Sequence, residues 1–183
     1  GGIKGAPCTM LLKKQARVLW ENDNHHDWLV MGFTADSKEI LRHERFIMTE
    51  RENLIPVLIN EGLTKADCFR ILLDEGLKLP EIYNMGYPNA NCIGCVKVAS
   101  PTYWNHVRVK HPSIFEQRSL MSRRLKSKLV VYKGERIFLD ELDPLAKSRP
   151  MRDIDFECGI FCEEKFSLKS KITPKRRIDV LEF

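Results

Sequence analysis

The 183-residue sequence lacks the features that mark membrane, secreted and repetitive proteins. No run of about 18 apolar residues occurs, so no membrane-spanning helix is predicted. The chain opens without the charged, apolar and small-residue pattern of a signal peptide, which favours a cytoplasmic protein. It has no internal repeat and no low-complexity tract, which excludes solenoids and compositionally biased chains. A hydrophobic content of 43% is enough for one globular domain with a real core.

The sequence has few cysteines, but most of them are clustered. The six are Cys8, Cys68, Cys92, Cys95, Cys158 and Cys162. In a chain without a secretory signal, clustered cysteines more often bind metal or perform redox chemistry than form structural disulfides. Cys68 falls in an amphipathic helical pattern and is interpreted as a core residue.

The loop "MGYPNANCIGCVK" carries a Cys-x-x-Cys pair, Cys92 and Cys95, and Gly94 between them permits a tight backbone turn. This spacing brings two thiolates within reach of one metal ion or cluster. The pair alone makes half a site, and Cys158-x-x-x-Cys162 is a second close pair that could complete it. The alternative is that Cys92 and Cys95 only pack against the core or cap a turn.

The order of predicted elements indicates an α/β protein with a partly parallel sheet. Helices are predicted over about 9–24, 36–47, 65–75, 100–111 and 113–126. "DWLVMGF" fits a buried parallel strand, and "NLIPVLI" fits an edge strand or extended segment because it contains a proline. "KLVVYKGERIFL" predicts a hairpin around Lys133-Gly134, and 79–95 is predicted to be a loop.

A basic cluster follows the first predicted strand. Arg42 and Arg45 flank His43, and such groups just beyond a strand end suit an anionic ligand. The alternative is an exposed helix face. His25, His26, His106 and His111 are interpreted as surface or core residues, although His106 or His111 could also be a ligand.

Two further segments carry an excess of positive charge. Residues 118–128 contain five basic residues and no acid, and residues 165–183 contain six basic residues and two acids. Such patches suit phosphate-bearing partners, including nucleic acid. They are equally compatible with a solvated helix face and a basic tail over 166–183.

Four stretches resemble the phosphoadenosine phosphosulfate (PAPS) reductase family, and particularly its divergent phage members. They are "PCTMLLKKQA", "MGFTADSKEILRHERF", the long run "VLINEGLTKADCFRILLDEGLKLPEIYNMGYPNANCIGC", and "DFECGIFC". The third is the most specific. The resemblance implies a Rossmann-like, adenine nucleotide alpha-hydrolase-like α/β fold. It implies a partly parallel sheet flanked by helices over residues 1–165, with a C-terminal helical and hairpin extension.

The resemblance also implies a function, the reduction of a sulfonucleotide to sulfite. Cys158 would be the nucleophile that forms a thiosulfonate, later released by thioredoxin or a similar thiol donor. Lys13, Arg42, His43 and Arg45 would bind the adenine nucleotide substrate. A [4Fe–4S] cluster, or alternatively zinc, would be held by Cys8, Cys92, Cys95 and Cys162.

The sequence departs from the family pattern in three places. Thr9 stands where the family has a second early cysteine, and Phe161 follows the Glu-Cys-Gly segment in place of a histidine. The phosphate-binding Ser-Gly-Gly-x-x-Ser turn is absent, and the opening Gly1-Gly2 is interpreted either as its remnant in a chain whose N-terminal part is missing or as an unrelated scar. These departures leave two alternatives: an adenylating or sulfur-transfer enzyme of the same superfamily, and a non-catalytic, metal-stabilised accessory protein that binds nucleic acid.

Overall fold

The computed structural model describes residues 7–154. Cys158, Cys162 and the basic tail over 166–183 therefore lie outside the described residues. The described α-helices are α1 (Pro7–Thr9), α2 (Gln15–Asp23), α3 (Ser37–Thr49), α4 (Val57–Asn60), α5 (Lys65–Asp74), α6 (Glu81–Asn84), α7 (Pro101–Lys110) and α8 (Pro112–Arg124). A π-helical segment, Met10–Lys14, joins α1 to α2, and 3₁₀ turns cover Leu139–Glu141 and Met151–Asp153. The strands are β1 (Leu29–Val30), β2 (Leu54–Ile55), β3 (Val130–Tyr132) and β4 (Glu135–Ile137).

The first half of the described chain contains a β1–α3–β2 unit. β1 and β2 pair in parallel, with Leu29 opposite Leu54 and Val30 opposite Ile55. α3 connects the two strands and buries Phe46 completely against Phe33 and Leu54. The predicted mixed α/β class and a parallel strand pair are thus confirmed, whereas a complete Rossmann-like sheet stays a prediction.

The predicted burial of the first strand is wrong for the described part of the chain. Val30 in β1 is 61% exposed and the neighbouring Trp28 is 56% exposed. Parallel strands are normally covered on both faces, which is why the apolar run predicted a buried strand. Within residues 7–154, β1 pairs with β2 alone. The side of β1 that carries Trp28 and Val30 faces solvent.

The second half of the described chain packs around α7. Tyr103, Trp104 and Val107 on this helix are completely buried, together with Val130 of β3 and Leu139. The helix begins where the sequence predicts, because the Ser100 side chain accepts the Tyr103 N–H and Pro101 occupies the first turn. β3 and β4 form the predicted hairpin, with Lys133 and Gly134 both at positive φ in the turn.

α5 connects the two halves. Thr64 and Asp67 form a capping box at its start, and Gly76 at φ +71° follows its end. Ala35 N–H donates to Leu63 O at 2.8 Å, which ties the entrance to α5 to the loop after β1. The helix predicted over 65–75 is confirmed. Two short helices were not predicted: α4 inside the proposed extended segment and α6 inside the proposed loop.

The helices of the described region are all short. Among residues 7–154, none combines the length and the apolar character that are required to cross a membrane. The expectation from the sequence is confirmed for this part of the chain.

Trp104 provides a test of the second core. Its Nε1–H donates to Val98 O at 2.7 Å, and both residues are buried. Trp104→Phe is expected to lower the free energy of unfolding by about 1–3 kcal/mol, because it leaves a cavity and an unpaired carbonyl. Urea denaturation measures this loss. Trp20→Phe is the matched control, because Trp20 is 58% exposed, and it should change stability by less than about 0.5 kcal/mol. Equal losses in the two variants would contradict the assignment of Trp104 to the core.

Candidate thiol site

The Cys92–Cys95 turn lies beside the N-terminal half of α7. Cys92 is exposed and Cys95 is half-buried. Gly94 has φ +68°, a conformation that side-chain-bearing residues rarely adopt. The sequence prediction that Gly94 permits a tight turn is therefore confirmed.

Tyr103 holds the backbone of this turn from α7. Its hydroxyl donates to Cys92 O at 3.3 Å and accepts the Cys95 N–H at 3.2 Å. One buried hydroxyl thus joins the backbone at both cysteines. Burial raises the pKa of the Tyr103 hydroxyl, an effect that hydrogen bonds with the Cys95 and Gly94 backbone oppose.

α8 holds the same turn from the other side. Arg118 Nε donates to Gly94 O at 3.1 Å. A Cβ placed on Gly94 would lie 2.7 Å from Ile114 Cγ2, so the glycine backbone is packed directly against the helix. Two helices therefore fix the conformation of the turn that carries the two cysteines.

Lys65 at the start of α5 holds the loop that precedes Cys92. Its Nζ donates to Pro88 O at 2.7 Å and to Asn89 Oδ1 at 2.6 Å. Its backbone N–H donates to Asp36 Oδ2 at 2.9 Å, at the start of α3. The loop before the cysteine pair is thereby connected to the carboxyl end of β1.

The start of α3, the helix that follows β1, carries a group of charged side chains. Asp36 precedes α3 and accepts the Thr34 hydroxyl, and this hydrogen bond is the main reason that the pKa of Asp36 is lowered. Arg42 forms an ion pair with Glu39 and lies over the Phe33 ring. The predicted basic cluster thus has carboxylates beside it, which the sequence analysis did not consider.

The other residues that the sequence predicts to bind an anion differ in their surroundings. His43 is half-buried against the edge of Phe33, and burial lowers its pKa, so the neutral imidazole is favoured. Arg45 is half-buried on the same helix. Lys13 is exposed in the π-helical segment, in a different part of the chain. Their roles in anion binding stay predictions.

The described residues bring together half of the predicted metal site. Cys92 and Cys95 share one turn, whereas Cys8 is exposed on α1. Among residues 7–154, no group of three or more His, Cys, Asp or Glu side chains could hold a metal ion. The structure therefore does not bring Cys8 to the pair, and Cys158 and Cys162 lie outside the described residues. Two thiolates fit a thiophilic metal such as iron or zinc as a partial ligand set.

One aromatic group joins Tyr87, which precedes the turn in sequence, to His106 and His111. The Tyr87 ring lies 4.6 Å from His106 and 5.9 Å from His111, measured between ring centroids. Burial raises the pKa of Tyr87 to about 12 and lowers the pKa of His106. Among residues 7–154 neither histidine belongs to a group that could hold a metal ion, and both contact the buried Tyr87 ring.

The sequence analysis missed the residues that fix the turn: Tyr103, Arg118 and Lys65. Each was assigned only to a helix or to a basic segment, because a hydrogen bond to a distant backbone has no signature in a single sequence. Gly94 was the one local signal, since a glycine inside a Cys-x-x-Cys pair indicates a constrained backbone.

Comparison with protein-family models, curated proteins and solved structures found no match to this chain. The resemblance to the PAPS reductase family therefore rests on the four motifs alone.

Replacing Gly94 tests whether the turn is packed as tightly as the structure indicates. Gly94→Ala is expected to cost about 1–2 kcal/mol for the left-handed backbone and about 1–3 kcal/mol more for the contact with Ile114. Gly62→Ala is a matched control, because Gly62 has φ +67° and nothing within 4 Å of its Cβ position. Chemical denaturation measures both losses. If the two variants lose the same stability, Ile114 does not confine the turn.

The lowered pKa of His106 predicts that stability depends on pH. Its first cause is burial, with smaller contributions from Lys110 and His111 in the same direction. Because the folded pKa lies below the unfolded value of about 6.5, the unfolded chain binds a proton first as pH falls. The contribution of neutral His106 to the free energy of unfolding is fully present above about pH 6.5. It is lost as pH falls from there through the folded pKa of His106.

His106→Gln should weaken the loss of stability between about pH 7.5 and about pH 5.5, as measured by urea midpoints. Part of the loss should persist, because burial also lowers the pKa of His43. His25→Gln is the control, since the His25 side chain is 93% exposed. If His25→Gln changes the pH dependence as much as His106→Gln, the assignment to His106 is wrong.

Proposed function

We propose that this chain is a PAPS reductase-like enzyme that binds an adenine nucleotide and uses cysteine thiolates to reduce a sulfonucleotide to sulfite. The observation that supports this most directly is the rigid Cys92–Cys95 turn. It is connected through its preceding loop to the carboxyl end of a parallel strand pair. In open α/β folds that end of the strands is where ligands bind. A fixed thiol pair beside it suits chemistry on a bound nucleotide.

In this proposal the charged group after β1 binds the anionic part of the substrate. Arg42 and Arg45 would contact phosphate or sulfate oxygens, and Lys13 would contribute a further positive charge. Glu39 pairs with Arg42 in the structure, so a substrate anion would have to compete with this carboxylate or share the guanidinium with it. A planar guanidinium with five donors can serve both partners.

The thiolates divide into two proposed roles. Cys92 and Cys95 would hold a [4Fe–4S] cluster, or alternatively zinc, together with Cys162. When bound, such a group would cross-link the segments that carry its ligands and supply structural rigidity next to the reacting cysteine. Cys158 would attack the sulfate sulfur, forming a sulfur–sulfur bond while the sulfur–oxygen bond to the nucleotide breaks. A dithiol such as thioredoxin would then attack the Cys158 sulfur and break the new sulfur–sulfur bond, which releases sulfite. The second thiol of the donor would displace Cys158 as a free thiolate, and the donor would leave as a disulfide.

A different function, nucleic-acid binding without turnover, is favoured by one surface. Arg124, Lys126 and Lys128 are exposed at the end of α8, and the adjacent hairpin adds exposed Lys133 and Arg136. Such a basic surface suits a phosphate backbone. In this second proposal the Cys92–Cys95 turn would be a structural metal site.

Sulfite formation from an adenylyl sulfate with a dithiol donor tests the first proposal. The complete protein should form sulfite, and Cys158→Ser should abolish it, because the serine hydroxyl is a far weaker nucleophile than a thiolate. Sulfite is measured directly, and bound metal is quantified in the same anaerobic samples.

The controls separate chemistry from folding and metal binding. Cys158→Ser should keep its bound metal, whereas Cys95→Ser should lose it, and Cys68→Ser should behave as the parent. Turnover that survives in Cys158→Ser would refute the assigned nucleophile. Absence of turnover in the parent, combined with binding of duplex DNA or tRNA that weakens steeply with salt, would favour the second proposal.

A further inference from the structure

Lys65 connects two parts of the molecule that lie on either side of α5. Its backbone N–H donates to Asp36 Oδ2, and its Nζ donates to Pro88 O and Asn89 Oδ1. Asn89 lies three residues before Cys92. A single residue therefore joins the carboxyl end of β1 to the loop that leads into the cysteine pair.

The surroundings of the Lys65 ammonium hold it in this position. Nζ lies 5.5 Å from the Phe69 ring centroid and 5.2 Å from the Tyr83 ring centroid, and the two rings pack edge to face. Aromatic faces attract a cation, and more strongly where water is partly excluded. Burial lowers the pKa of Lys65, while the carboxylates of Asp36 and Glu39 favour its charged form.

The loop from 85 to 100 depends on such side-chain contacts. It contains no described strand and no described helix. Hydrogen bonds from the neighbouring helices therefore fix much of its backbone. Tyr103 and Arg118 hold the turn itself, and Lys65 holds the segment that enters it. Lys65 thus adds a contact from α5 to those that α7 and α8 make with the turn.

We propose that Lys65 is a positioning residue for the thiol pair. By fixing Pro88 and Asn89, it presets the separation of the Cys92 and Cys95 sulfurs for one shared thiophilic metal ion. Groups that orient metal ligands from outside the coordination sphere typically change metal affinity by about 10–100-fold. The inference does not depend on the proposed reaction, because it concerns only the geometry of this pair.

Cadmium titration of the complete chain tests the proposal. The parent for this experiment carries Cys8→Ser, Cys68→Ala, Cys158→Ser and Cys162→Ser, so Cys92 and Cys95 are its only thiols. Lys65→Met, which keeps the aliphatic stem, is expected to weaken Cd²⁺ binding by about tenfold or more. Lys65→Arg should recover part of the affinity, because it keeps the charge and the donors. The thiolate-to-cadmium charge-transfer absorbance measures the affinity.

Two variants on the same helix separate positioning from general stability. Thr64→Ala removes the cap of α5 and destabilises the helix, but it leaves the Lys65 Nζ contacts in place. Arg70→Met removes a mostly exposed cation that pairs with Asp67. Both should bind Cd²⁺ as tightly as the parent.

Asn89→Ala tests the same contact from the loop side. It removes the Oδ1 acceptor and should weaken Cd²⁺ binding in the same direction, which keeps the test decisive if Lys65→Met does not fold. The proposal is overturned if Asn89→Ala and every folded Lys65 variant bind Cd²⁺ as tightly as the parent. It is also overturned if Thr64→Ala weakens binding as much as Lys65→Met, since the effect would then be one of stability alone.

Discussion

The buried hydroxyl of Tyr103 is the interaction on which the arrangement of this protein depends most. It satisfies the backbone at both ends of the Cys-x-x-Cys turn, at Cys92 O and at Cys95 N–H. A buried backbone group that lacks a partner costs about 1–3 kcal/mol, so the turn and α7 stabilise each other. The same helix places Trp104 and Val107 in the larger core. The candidate site is therefore an extension of the core and not an attached loop.

The cations around the thiol turn have specific partners, and others after α8 are exposed to solvent. Arg42 has Glu39, Arg118 has the Gly94 carbonyl, and the Lys65 ammonium has Asn89 and two aromatic rings. Burying a cation is tolerable only with such partners. The basic residues after α8, such as Lys126 and Lys128, are exposed to solvent. These exposed cations are the ones that a polyanion could reach.

Much of the local structure could be predicted from the sequence because its signals are local. Capping by Thr64 and Ser100, the end of α5 at Gly76 and the hairpin at Lys133-Gly134 each follow from a few neighbouring residues. The expected burial of β1 was wrong because burial depends on what covers a strand, not on the strand's own sequence. The short helices α4 and α6 were missed because four residues are too few to show a period.

For the site, the sequence by itself determined which atoms are available: two thiols three positions apart, with a glycine that permits the turn. Only the tertiary structure decided what holds them. Tyr103, Arg118 and Lys65 lie 8 to 30 positions away in sequence, on three helices, and they converge on the loop through backbone carbonyls, N–H groups and one amide side chain. Every residue offers the same backbone groups, so the sequence carries no mark of which ones a distant side chain will find.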